Sequence, residues 1–237
     1  MKLQIALALS LLASTPALAQ TTVADQPAPR LPFTFSIDAE TQWHLDRSYR
    51  IFGTDRADSV GGVSASMQLR RVAGGMLELG AGYHSNTSRG VFAAENEAKL
   101  EEKTPSLSAL LRWAPYRWLE PHLRVAAEVT NAQLHLTMNN GRSMQDEVWS
   151  PAGSAGLGLR LRTGTLTTGL QGGKLGLAGA LIVEGGFRLG APFTFDVAPP
   201  APGDKKLADD RIPAASTPVG TLDRAQPYLR ISFALLI

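Results

Sequence analysis

From Phe33 to its last residue the chain alternates apolar and polar positions in short runs. In FTFSIDAETQW, Phe33, Phe35, Ile37 and Ala39 share one face, and Thr34, Ser36, Asp38 and Glu40 share the other. GVSASMQLR sets Val63, Ala65, Met67 and Leu69 against Ser64, Ser66, Gln68 and Arg70. LELGAGYH sets Leu77, Leu79, Ala81 and Tyr83 against Glu78, Gly80, Gly82 and His84, and LSALLRW repeats the pattern with Arg112 on its polar side. HLRVAAEVTNAQLHL, SAGLGLRLR and GALIVEGGFRL put Arg124 and Glu128, then Arg160, then Glu184 and Arg188, opposite Leu, Val, Ala and Phe. The closing YLRISFALLI alternates Leu229, Ile231, Phe233, Leu235 and Ile237 with Tyr228, Arg230, Ser232 and Ala234. A period of two predicts eight strands, each with one apolar face.

The gaps between these strands differ in length. RVAGGM and APYRWLEP are compact, and the Gly/Thr-rich TGTLTTGLQGGKLG is somewhat longer. The gaps near residues 44–60, 85–105, 139–152 and 191–226 are long and polar. Short turns on one side and long loops on the other predict an all-β, eight-stranded antiparallel transmembrane β-barrel with periplasmic turns and extracellular loops. Within 85–105, FAAENEAKLEEK spaces Glu97 and Glu101 four apart, which predicts a short helix at the lip. The proline-rich gap 191–226 predicts irregular structure.

A soluble barrel also has one apolar face per strand, so the polar face decides. It mixes charge with Gly and Ser, which suits a crowded lumen. Its acids would be Asp38, Glu40, Glu78, Glu128 and Glu184, facing Arg70, Arg112, Arg124, Arg160, Arg188 and Arg230. The expected strands hold no lysine; Lys99, Lys103, Lys174, Lys205 and Lys206 fall in the gaps. Arginine's planar fork fits buried carboxylates. Trp43, Trp113, Trp118 and Trp149 lie at strand ends or beyond, and with Tyr83, Tyr116 and Tyr228 they are candidates for two interfacial aromatic girdles.

Export is read from the start of the chain. MKLQIALALSLLASTPALAQ has a basic Lys2, an apolar run from Ile5 to Leu12, and small residues at Ala17 and Ala19. That is the plan of a signal peptide over 1–19, cleaved after Ala19; the run is too short to cross a bilayer. Residues 20–30 read as a flexible leader, and 31–237 as the barrel. The net charge of +2 gives no reason to expect nucleic acid as a partner. The absence of cysteine excludes disulfides, Cys-ligated zinc and a thiol nucleophile.

The signal peptide, the eight strands, the RWAPYRWLEPHLRV turn and the final YLRISFALLI together resemble the small bacterial outer-membrane β-barrel family of the OmpA-like transmembrane type. The resemblance implies an outer-membrane location, contact with outer-membrane lipids and lipopolysaccharide, and a monomer. It also implies that the last strand pairs with the first and carries the signal read by the assembly machinery. In the family that strand typically ends in an aromatic; here it ends in Ile237, with Phe233 four residues earlier.

Candidate chemistry is sparse. An eight-stranded barrel is just wide enough for side chains to fill, so the lumen charges read first as an ion-pair network and second as a narrow path. GYHSNTSRG loosely resembles the His/Ser/Asn elements of outer-membrane phospholipases and lipid A deacylases, which place His and Ser one residue apart on one strand face. Here His84 and Ser85 are adjacent and would point to opposite sides; Thr87 and Ser88 are the other hydroxyls within reach. His44, His122 and His135 have no metal-site spacing, and no cofactor is expected. The function expected is non-catalytic: a structural or surface-interaction barrel, or a narrow pore. The alternatives are a lipid-modifying outer-membrane hydrolase or acyltransferase using His84, and a soluble periplasmic barrel that binds a ligand.

Overall fold

The computed structural model describes residues 33–52, 57–92, 96–139, 141, 143–163, 166–170, 173–197 and 217–237. The signal peptide and leader expected over 1–30 lie outside these residues, as do residues 31–32 at the start of the expected barrel. Among the described residues eleven strands form: β1 (Phe33–Trp43), β2 (Ala57–Val72), β3 (Gly75–Phe92), β4 (Asn96–Arg112), β5 (Leu119–Thr137), β6 (Ser143–Arg162), β7 (Leu166–Leu170), β8 (Gly173–Gly190), β9 (Phe193–Val197), β10 (Thr217–Leu222) and β11 (Gln226–Leu236). Eight of them, in the order β11-β1-β2-β3-β4-β5-β6-β8, make a ring that closes by pairing β11 with β8. Every neighbouring pair is antiparallel. The fold is an eight-stranded β-barrel. β7 forms a hairpin with the start of β8, and β9 and β10 form a separate ribbon.

The outward face is apolar. Phe35, Ile37, Val63, Leu79, Leu107, Val125, Leu157, Val183, Ile231 and Phe233 all stand exposed on it. Closure leaves the ring no open strand edge, which hydrocarbon demands of any sheet that crosses it. A tilted strand crosses a bilayer in about 9–11 residues. β1 and β11 have 11 residues each and are nearly that length. β3, β5 and β6 have 18, 19 and 20 residues, so they run well past any belt on the loop side.

Those overhangs replace the expected loops. Residues 85–92 and 96–104 continue the β3–β4 pairing as a ladder from Ser85↔Lys103 to Phe92↔Asn96. No helix forms at Glu97–Glu101. Helix propensity loses because Ala98 and Leu100 are needed on one inward face, at 1 % exposure each. A period of two puts both there; a helical turn would not. Lys99 and Lys103 accordingly lie on β4, and Lys174 on β8, instead of in connections. β6 likewise begins at Ser143, inside the expected 139–152 loop. The 44–60 gap holds a 3-10 turn, Arg47–Ile51, and the 191–226 gap holds the β9–β10 ribbon.

The overhangs, the 3-10 turn and the ribbon enclose a hydrophobic core of their own. Tyr49, Phe52, Ala98, Leu100, Ala132, Leu134, Leu136, Phe193, Phe195 and Leu222 are its buried members, with Met144 and Val148 packed against it. It caps the loop end of the barrel. Phe195 is 1 % exposed. Phe195→Ala should cost about 3–5 kcal/mol of local stability. Limited proteolysis should then cut the loop end faster while the barrel still shows its heat-dependent gel shift; unchanged cleavage would mean that the cap is not a packed unit.

Candidate functional site

Below the cap, the barrel interior is charged and buried. Asp38, Glu40, Glu78, Glu128 and Glu184 are buried there, with Arg112, Arg124, Arg160, Arg188 and Arg230. Their pairing follows from the register. Arg230 on β11 stands opposite Glu40 on β1 and opposite Glu184 on β8. Its Nε donates to Glu40 Oε2 at 2.9 Å, and its Nη1 lies 3.6 Å from Glu184 Oε1. Arg188 extends the chain, reaching Glu40 Oε1 at 2.9 Å and Glu128 Oε2 at 2.6 Å. Glu184 also pairs with His122 Nε2 at 3.1 Å and lies 3.6 Å from Arg124. A second group joins Glu78 to Arg112 at 2.7 Å and to Arg160 at 3.2 Å. Asp38 lies 3.5 Å from His84.

Two of the expected site residues lie elsewhere. Arg70 is exposed and is not in the lumen. A bulge between Gln68 and Arg70 inserts one residue, so Arg70 pairs with the outward Leu77. One extra residue reverses the face of everything after it. Tyr228 is 2 % exposed and belongs to the lumen, not to a girdle. Its hydroxyl donates to Glu184 Oε1 at 2.9 Å, and Arg188 and Arg230 lie over its ring. It sits against Gly156 and Gly186, where any Cβ would collide with it. The other aromatics are outward: Trp43, Tyr83 and Trp149 are exposed, Trp113 half-buried, and Tyr116 and Trp118 exposed and stacked on each other.

The lumen holds partners that strand-by-strand reading passed over. Glu120 is buried and sits 2.8 Å from Arg112. It shares the parity of His122 and Arg124, so extending the period two residues toward the N-terminus would have found it. Arg162 lies 3.9 Å from it. With Glu120 and Arg162 included, the carboxylates at 38, 40, 78, 120, 128 and 184 match the guanidiniums at 112, 124, 160, 162, 188 and 230 one for one. Arg224, just after β10, is buried and bridges the cap to the wall. It donates to Ser150 O at 3.0 Å and Thr130 Oγ1 at 2.6 Å, and lies over the Phe193 ring. No spacing rule places an arginine from a long connection.

The hydroxyls near His84 do not form a nucleophile site with it. His84 is buried and inward, and Ser85 is exposed on the opposite face. Ser88 Oγ donates to Asp58 Oδ2 at 2.8 Å, and His44 Nε2 meets the same oxygen at 2.9 Å. Asp58 thus bolts the β1–β2 connection to β3, above the last β2–β3 pair at Gly61↔Ser85. Among the described residues no cluster of three or more His, Cys, Asp or Glu could hold a metal ion. One open space in the lumen is about 60 Å³, bounded by Asp38, Ser64, Ser66, Arg124 and Arg160 among others. That is room for a few waters.

No protein-family model matches the chain, and no curated protein matches it. Among solved structures it is similar to small outer-membrane barrels. One is the N-terminal β-barrel domain of Pseudomonas aeruginosa OprF, at 12 % identity and TM-score 0.38, covering 85 % of this chain and 96 % of that one. Neisserial surface protein A is similar at 11 % identity and TM-score 0.39, covering 86 % and 96 %. Ail, the attachment invasion locus protein of Yersinia pestis, in complex with the heparin analogue sucrose octasulfate, is similar at 5 % identity and TM-score 0.42, covering 86 % and 95 %.

Removing one partner of a buried ion pair strands the other, at about 3–5 kcal/mol. Glu78 is fully buried and serves Arg112 and Arg160. Glu78→Gln should therefore lower stability against urea in lipid vesicles by about that amount, and adding Arg160→Met should recover part of it. Failure of the second change to help would mean that Arg160 is not stranded by the first. At the lip, burial of Asp46 works against its charge, but the N–H groups of Ser48 and Asp223 outweigh it and hold its carboxyl below the usual carboxylate range. A depressed value means that the tie is present at neutral pH and is lost as pH falls through the folded-state value. Asp46→Ala should speed tryptic cleavage at exposed Arg47 at pH 7; equal rates would remove Asp46 as an anchor.

Proposed function

We propose that this chain is a sealed, non-catalytic β-barrel of the bacterial outer membrane that presents a rigid protein surface at its loop end. The observation that carries this reading is the filling of the interior at two levels: a balanced, mutually paired charge network in the barrel, and an apolar core above it. A conducting path needs mobile water past unpaired charge, and a catalytic site needs an approachable base. The arrangement favours neither. What it does supply is a stiff platform. The overhanging parts of β3, β4, β5 and β6 form one antiparallel sheet, with exposed Glu97, Lys103 and Glu147 on its outer side.

The surroundings follow from the same reading. Outer-membrane lipids meet the apolar belt, lipopolysaccharide meets the loop-end rim, and the assembly machinery engages β11. The barrel stands as a monomer, because its sheet has no edge left to share within the ring.

Refolded into a planar bilayer, with a heat-dependent gel shift as the control for folding, the protein should be electrically silent. Stable discrete conductance steps would overturn the sealed reading and make the Arg230–Glu40–Glu184 bridge the first place to look for a gate. In cells, His84→Ala should leave lipid A and phospholipid composition unchanged; loss of a lipid product in that variant would restore the hydrolase.

A further inference from the structure

The turn end of the barrel has an unusual charge. The three connections there, Leu69–Leu77, Trp113–Leu119 and Leu161–Gly179, contain Arg70, Arg71, Arg117, Arg162 and Lys174, and no acidic residue. The acids that directly flank these connections, Glu78 and Glu120, are buried and engaged by Arg112 and Arg160, and Glu120 by Arg162 as well. Among the described residues no ion pair holds Arg70, Arg71 or Arg117, and all three are exposed. They form one rim, because Trp113 Nε1 of the β4–β5 turn donates to Ala73 O of the β2–β3 turn at 3.4 Å. On the other side Arg162 N donates to Trp118 O at 2.8 Å.

The position of Arg70 says what this rim meets. The β2 bulge turns its side chain out of the lumen and onto the face that carries exposed Leu69 and Leu79. A cation at the edge of an apolar belt sits at headgroup depth. The exposed, stacked pair Tyr116 and Trp118 lies beside it, as amphipathic rings do at a membrane interface. A soluble polyanion would have no use for that apolar neighbour. We propose that this rim binds the phosphates of anionic phospholipids in the leaflet it faces, with Arg70, Arg71 and Arg117 as the contact residues. Guanidinium suits the task because its fork grips phosphate oxygens in pairs.

The inference rests on the membrane-spanning reading, and one experiment separates the two. In a Trp43→Phe, Trp149→Phe background only the turn-end Trp113 and Trp118 report. The full mature chain is refolded into phosphatidylcholine vesicles containing brominated phosphatidylglycerol or, in parallel, brominated phosphatidylcholine, and quenching is compared. Phosphatidylglycerol should quench more strongly, with a relative affinity about five-fold higher for each arginine engaged, and high salt should erase the difference. The preference should vanish in Arg70→Gln, Arg71→Gln, Arg117→Gln and survive the matching lysine changes. The opposite background, Trp113→Phe with Trp118→Phe, should show no such preference at the loop end. Equal quenching by the two lipids, or a preference that persists in the glutamine variant, overturns the inference alone. Tryptophans that neither lipid quenches would show that the chain is outside the bilayer, and would overturn the membrane reading together with it.

Discussion

One bridge governs how this barrel closes. Arg230 stands on the closing strand with a carboxylate on each flank, Glu40 from the first strand and Glu184 from β8. The three residues are cross-strand neighbours, so the acid–base–acid sequence around the ring is also its register. Sliding β11 by one residue would turn Arg230 into the apolar face and bring Leu229 or Ile231 into the lumen. Sliding it by two would restore the face but leave Glu40 and Glu184 opposite residues that cannot neutralise them. In so narrow an interior neither error is tolerable, because an unpaired buried charge costs several kcal/mol. The hydrophobic pattern alone specifies which face is in. The charges specify which residue meets which.

The remaining interior is arranged around that constraint. Arg188 links the bridge to Glu128, and Tyr228 fits between the glycines at 156 and 186 to reach Glu184. The glycines in the polar face are thus space for large neighbours instead of weak points in strands. Higher up, Arg224 reaches down from the ribbon to the barrel wall. It joins two kinds of interior, one held by charge and the other by apolar contact.

Much of this was legible in the residue order. β1 was read with its observed bounds, and the parity of the lumen residues from 38 to 40 and from 78 to 230 needed only a period of two. The misses have separate physical causes. Arg70 changed sides because of a single inserted residue, which leaves no mark in a periodic count. Tyr228 has the residue type of a girdle member, but its parity is that of Arg230 and places it inside. The 85–104 hairpin was lost to local propensity: EAKLEEK favours a helix in isolation, and only the distant Phe193, Phe195 and Tyr49 make Ala98 and Leu100 worth aligning on one face. The cap could not be foreseen at all, since its members come from five strands and a 3-10 turn far apart in the chain. Glu120 has no such obstacle, since it shares the parity of His122 and Arg124.

The overhanging strands impose an order of events. Along β4, Glu97, Lys99, Glu101 and Lys103 lie beyond the belt on the loop side. In a bilayer these charges must cross the hydrocarbon before the apolar stretch from Leu107 to Leu111 can come to rest in it. The same holds for Arg89 near the end of β3 and for Asp146 and Glu147 near the start of β6. For strands that cross in this way, the cluster that Phe193 and Phe195 share with Leu100 and Leu134 could close only after all four had passed through. In that setting the loop-end core would act as a latch: once it had formed, drawing the strands back would mean undoing a packed interior and returning every one of those charges through oil.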